Sequence, residues 1–173
     1  MKPLIAYYSR NGQNLINGCV RELQVGNTEV LADILQKLTD GERLKLQPVQ
    51  DYSRDYYHCI NEAREDLLTH RFPELKNLPE SLESYDVVYL GYPNYWGTIP
   101  MPMASFLKSF DFSGKHIFPF CTHEGGGLGR SLEDIQSLCP GGIVESGIAI
   151  RGSKIKQNLA DLKAWACGNQ KGV

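Results

Sequence analysis

Asp86-Val87-Val88-Tyr89-Leu90-Gly91-Tyr92 is an apolar run of strand length, and it empties into a short loop, Pro93-Asn94-Tyr95-Trp96-Gly97-Thr98-Ile99-Pro100. A strand that is apolar at successive positions buries both of its faces, as strands do in a parallel sheet covered by helices. Leu4 to Tyr8, Lys115 to Cys121 and Ile143 to Ile150 have the same character, and Arg43 to Val49 is a weaker example. Amphipathic stretches separate these runs. Thr28 to Leu38 places Val30, Leu31, Ile34, Leu35 and Leu38 on one face. The polar, tyrosine-rich segment Asp51 to His70 holds a helical core from Cys59 to Leu68. Met101 to Phe110 is entered through Pro100, which suits a first helical turn. Ser131 to Leu138 is a short helix, and Ser153 is expected to cap a last helix carrying Ile155, Leu159, Leu162 and Trp165. Strands alternating with helices predict an α/β fold with a five-stranded parallel sheet and helices on both faces. Right-handed crossovers favour the order 2-1-3-4-5, with the ligand crevice beyond the carboxyl ends of strands one and three.

The bulk properties narrow the function. A chain of 173 residues suits one domain spanning 1–173. A net charge of −2 supplies no field for nucleic acid or anionic lipid. The apolar run at Leu4 to Tyr8 is too short for a signal-peptide core or a membrane span. The five cysteines (Cys19, Cys59, Cys121, Cys139 and Cys167) include no C-x-x-C, which predicts reduced thiols and a cytoplasmic location. The four histidines form no pair at metal-ligand spacing, so no metal site is expected. A tyrosine phosphatase would need arginine six residues after Cys121, where Gly127 stands. A receiver domain would need an aspartate at the end of strand three, where Tyr92 and Pro93 stand. No G-x-S-x-G elbow is present.

Chemistry is expected in the loops after strands one, three and four. The first begins Ser9-Arg10-Asn11-Gly12 and ends Gly26-Asn27-Thr28. Small polar residues before a helix suit a phosphate, because the helix's first N–H groups are free and its dipole favours an anion. An ordinary helix cap at Asn27 or Thr28 explains the same residues. In the second loop, Tyr95 and Trp96 would be buried by stacking on a planar ligand, or else by the core or a subunit contact. The third loop, Thr122-His123-Glu124-Gly125-Gly126-Gly127-Leu128-Gly129, lets backbone amides turn toward a ligand, or is a flexible turn. It is not a phosphate-binding Walker loop, since no Gly-Lys-Ser/Thr follows.

Together these segments resemble the flavodoxins and flavodoxin-like flavin mononucleotide (FMN) proteins. Ile5 to Gly12 with Gly26-Asn27-Thr28 is similar to their phosphate loop, Ser/Thr-x-x-Gly-Asn-Thr. Leu90 to Gly97 resembles their ring-binding second loop, and Phe120 to Gly126 their third. The resemblance spans nearly the whole chain. It implies non-covalent FMN, with Ser9, Asn11, Asn27 and Thr28 on the phosphate and Arg10 in the same loop. It places Pro93, Asn94, Tyr95, Trp96 and Gly97 around the isoalloxazine ring. Thr122, His123, Glu124, Gly125 and Gly126 would follow the ring's pyrimidine edge, with His123 and Glu124 near enough to tune its potential. The departure is an insertion at 13–25, where Asn17-Gly18 between apolar residues predicts a hairpin. The resemblance implies electron transfer with a redox partner protein or a small-molecule donor or acceptor. Two other readings stay open: an FMN-dependent NAD(P)H reductase of quinones or similar acceptors, and a non-catalytic binding module. No catalytic residue is assigned.

Overall fold

The structure is a computed structural model and describes residues 2–169; Met1 and residues 170–173 of the expected 1–173 domain lie outside it. The chain opens with β1 (Leu4–Tyr7), a hairpin of β2 (Gly12–Ile16) and β3 (Cys19–Leu23), and α1 (Asn27–Thr39). β4 (Glu42–Lys45), β5 (Gln47–Pro48), α2 (Tyr56–Thr69) and β6 (Leu75–Lys76) follow. Then come β7 (Val87–Pro93), α3 (Met101–Ser109), β8 (His116–His123), α4 (Ser131–Leu138), β9 (Ile143–Val144) and β10 (Ile148–Arg151). A 3₁₀ segment (Gly152–Asn158) leads into α5 (Leu159–Asn169).

The central sheet runs β4-β1-β7-β8, with β9 and β10 both on the outer edge of β8, and every pairing is parallel. This is the expected 2-1-3-4-5 order, with β9 and β10 sharing the fifth lane. The fifth strand was expected to be continuous, and Pro119 explains its break. The N–H of Ile143 reaches the Lys115 carbonyl and that of Glu145 the Ile117 carbonyl, so odd-numbered residues of β8 face this lane. Pro119 faces it too and has no N–H to give.

Strand alternation sorts the core into two layers. Leu4, Ala6, Val88, Leu90 and Ile117 pack with Met103, Phe106 and Leu107 of α3 on one face. Ile5, Tyr7, Tyr89, Phe118 and Phe120 pack with Leu31 and Leu35 of α1 and Leu162 of α5 on the other. Gly91 has to be glycine, since a Cβ there would stand 2.1 Å from Phe120 Cζ.

Three local expectations are corrected. Strand two ends at Lys45: the N–H groups of Glu42 and Leu46 reach β1, Pro48 stands next in that register with no N–H to give, and β5 pairs antiparallel with β6 instead. The last helix does not start at a Ser153 cap: residues 152–158 form a 3₁₀ turn, and Ser153 gives its N–H to Glu124. Neither Asn27 nor Thr28 caps α1, whose N-cap is Gly26. The cap bond comes from the loop, Ser9 Oγ accepting from the Glu29 N–H at 3.1 Å.

Candidate functional site

A cleft of about 270 Å³ lies where the loops after β1, β7 and β8 meet. Ser9, Arg10, Asn27 and Thr28 line it from the first loop, Pro93, Asn94, Tyr95 and Trp96 from the second, and Thr122, His123 and Glu124 from the third. Asn11, Gly97, Gly125 and Gly126 are off its wall; Asn11 borders a neighbouring polar cavity instead. Asn14 of β2, the sequence's other candidate for the motif asparagine beside Asn27, also lines it, and three residues that sequence reasoning missed complete the lining: Leu15 of β2, and Tyr56 and Ile60 of α2. Nothing in the local sequence marks Ile60. The tyrosines of the 51–57 stretch were the available hint for Tyr56.

Where the start of α1 lines the cleft, at Asn27 and Thr28, it offers backbone N–H groups. Its first internal bond is made by Val30 to the Gly26 carbonyl at 3.2 Å, so the amides of residues 26 to 29 precede the helical ladder. Ser9 already serves that of Glu29; of the other three, those of the cleft-lining residues Asn27 and Thr28 are amides that can receive an anion. The approach is close: a Cβ on Gly26 would stand 2.3 Å from Ser9 Oγ and 2.5 Å from the Arg10 carbonyl. The Thr28 and Thr122 hydroxyls bond to each other at 2.7 Å and are buried, tying the first loop to the third. Arg10 directs its guanidinium to the backbone, at the carbonyls of Ser53 (2.9 Å), Arg54 (3.2 Å) and Gln13.

The second loop is a tight turn. Tyr95 and Thr98 bridge across it, with Trp96 at φ +55° and Gly97 at φ +81°. Asn94 wires the turn to the third loop: its N–H meets the Thr122 carbonyl at 2.8 Å, and its amide nitrogen meets the Gly127 carbonyl at 2.8 Å. Tyr95 packs edge-on against Tyr8, with centroids 6.2 Å apart, and its hydroxyl lies 3.8 Å from Cys59 Sγ. Burial pushes the Tyr95 hydroxyl and the Cys59 thiol above their ordinary values, so both keep their protons. Trp96 is 47% exposed; its indole N–H reaches the Ile60 carbonyl at 2.8 Å, and Arg64 stands over the ring at 5.4 Å.

In the third loop, burial first and Arg151 second lower the His123 pKa, so the imidazole is neutral at pH 7. Two buried polar atoms of the cleft's lining residues, Arg10 Nε and His123 Nδ1, have no hydrogen-bond partner among the described residues. Unpaired buried polar atoms are expensive, and they fit a site whose polar ligand completes them. Among the described residues, no group of three or more His, Cys, Asp or Glu is placed to hold a metal ion.

An α/β sheet of this order, with one cleft built from the loops after its first, third and fourth lanes, defines a flavodoxin-type protein. The sequence also matches the flavodoxin family model over residues 22–167, so the chain belongs to the flavodoxin family, and FMN is the cofactor that goes with that membership. Solved structures show the same fold. A flavoprotein from Bacteroides uniformis is 24% identical, with a TM-score of 0.75 over 95% of this chain and 96% of that one. A flavoprotein from Lactobacillus acidophilus, solved in complex with FMN, is 20% identical, with a TM-score of 0.66 over 92% and 98%. Oxidised flavodoxin 2 from Bacillus cereus is 17% identical, with a TM-score of 0.60 over the whole of both chains. No curated protein was found to match the sequence.

Proposed function

We propose that this protein is a redox carrier of flavodoxin type, acting as one domain through FMN held non-covalently in the three-loop cleft. The observation that carries the reading is the cleft's polarity. Free helix N–H groups at Asn27 and Thr28 form one part of its wall, and the aromatic pair Tyr95 and Trp96 forms another. An anionic phosphate and a planar ring need those two surroundings within one site.

In this reading FMN supplies the one- and two-electron chemistry, and the chain's own residues bind and orient it. The α1 amides, with Ser9, Asn27 and Thr28, take the phosphate. Tyr95 and Trp96 cover the ring and keep water from it, and the neutral His123 offers an imidazole nitrogen at the third loop. Asn94 positions without binding, because its side chain is spent on Gly127 and on the Gly97 N–H at 2.9 Å.

The second reading is an FMN-dependent NAD(P)H reductase of quinones or similar acceptors. Its support is the net charge of −2, too small to steer a carrier strongly toward basic partners. No helix of the described residues is long and apolar enough to cross a membrane, and we propose a cytoplasmic location. The test is direct. Purified protein should be yellow, and heat should release one FMN per chain on chromatography. A colourless protein that takes up no added FMN sinks the proposal and leaves a non-catalytic binding module. Rapid NADH or NADPH oxidation with a quinone, and no second protein, would select the reductase.

A further inference from the structure

The β2–β3 hairpin forms part of the cofactor cleft through Asn14 and Leu15. A two-stranded hairpin is marginal by itself, so contacts elsewhere decide where it sits. Its base is held on the α2 side: the Gln13 N–H reaches the Arg54 carbonyl at 3.2 Å, and Gln13 Oε1 accepts from the Tyr56 N–H at 3.1 Å. Its tip is held from the third loop. The Asn17 N–H donates to Glu124 Oε2 at 3.1 Å, across 107 residues of sequence.

That carboxylate is itself fixed. Glu124 Oε1 accepts from the Ser153 N–H at 2.7 Å, Oε2 accepts from Ser153 Oγ at 3.0 Å, and Arg151 Nε stands 3.7 Å from Oε2. Arg151 also donates to the Glu124 backbone carbonyl, from Nη2 at 2.6 Å and from Nε at 3.2 Å. The side chain is 12% exposed. Gly152 makes the junction possible, because a Cβ there would stand 3.0 Å from Glu124 Oε1 and 2.1 Å from Asn27 Nδ2. One carboxylate therefore joins the hairpin tip, the third loop and the 3₁₀ turn beside the cleft.

We propose that Glu124 is a positioning residue: its carboxylate latches the hairpin tip at Asn17 and so sets the rate at which the cofactor enters and leaves. The inference rests on the FMN reading for its kinetic consequence, but the latch itself is a property of the chain. A latch slows entry and release together. A carboxylate that acted by its charge would instead oppose an anionic cofactor in the bound state.

Glu124→Ala in FMN-loaded protein tests this, with release followed by the return of free-flavin fluorescence. Release should speed up about tenfold, the factor expected from losing a hydrogen bond to a charged group. Uptake of FMN by the stripped variant should speed up as well. Hydrogen exchange at the Asn17 amide should rise by a similar factor, while exchange in β1 and β7 stays as it was. In protein lacking Gln13 to Val25, Glu124→Ala should change release by less than about twofold, since nothing is left to latch. If that shortened protein does not fold, Asn17 exchange in the full-length variant decides alone. Unchanged Asn17 exchange, slower release on losing the charge, or an undiminished effect without the hairpin would each overturn the proposal. Unaltered protein that takes up no FMN would fail the cofactor reading, and Asn17 exchange would still decide the latch.

Discussion

Trp96 carries a bulky side chain at φ +55°, a backbone region that costs an L-residue about 1–2 kcal/mol. The surrounding turn enforces it, and such outliers gather where a site needs a side chain aimed. Asparagine tolerates this backbone. Trp96→Asn should therefore leave the melting temperature of the apoprotein unchanged or slightly raised, while weakening FMN by about 1 kcal/mol through lost stacking. Calorimetry and a fluorescence titration would separate the two effects; a loss of stability matching the loss of affinity would make the indole structural. Thr28→Val has the opposite signature. It strands the buried Thr122 hydroxyl, now bonded at 2.7 Å, and should cost the apoprotein about 1–3 kcal/mol in a denaturant titration. If the hydroxyl also serves the phosphate, FMN should lose more affinity than riboflavin. His123 supplies a pH test. Its folded pKa lies below the unfolded value of about 6.5, so as pH falls the unfolded chain takes a proton that the folded one refuses. Stability should fall with pH below about 6.5, with no such term well above it, and His123→Asn should flatten that slope. Denaturant midpoints across roughly pH 5 to 8 would show it, and an identical slope in the variant would mean that the fold does not hold the ring neutral.

At the scale of elements, the hairpin turn is an exposed joint. Asn17 at φ +50° and Gly18 at φ +76° both occupy the left-handed region, as the favoured two-residue hairpin turn requires. A Cβ on Gly18 would meet open space, so Gly18→Ala should act through backbone strain alone, at about 1 kcal/mol. That strain should appear as faster amide exchange confined to residues 12–23, with global unfolding nearly unchanged. A fall in global stability of the same size would mean that the hairpin unfolds only with the core. The turn was legible because both of its residues are types that accept positive φ. The sheet was legible for a similar local reason: its inner strands are apolar on both faces, and the loops that end them bring Ser9, Tyr95 and Thr122 together. Other features depended on partners distant in sequence. Glu124 lies among polar and glycine residues that suggest a solvent-facing side chain or a tuner of the flavin, and its bonds to Asn17 and Ser153 have no local signature. Tyr56 and Ile60 enter the cleft only because α2 packs where it does. The β5–β6 pair joins segments too short to show any period, and the break in strand five depends on which edge of β8 Pro119 faces.

For the whole molecule, the two hydrophobic layers on the faces of the sheet are the source of stability, and the cleft stands beyond the strand ends. The apoprotein should therefore fold cooperatively without its cofactor, and cofactor removal should lower the melting temperature without abolishing the transition. The size of the change follows from mass action. A ligand that binds only the folded state at about 100 times its Kd adds about 2.7 kcal/mol. In a chain of this length each kcal/mol moves the transition by roughly 2–4 °C, so saturating FMN should raise it by roughly 5–11 °C. The shift should grow with the logarithm of FMN concentration once the site is saturated. Riboflavin at the same concentration should give less, because it lacks the phosphate that the amides of Asn27 and Thr28 receive. Scanning calorimetry of stripped protein against both ligands separates the possibilities. Equal shifts for FMN and riboflavin would remove the phosphate from the first loop, and stripped protein with no cooperative transition would mean that the cleft, not the layered core, holds the fold together.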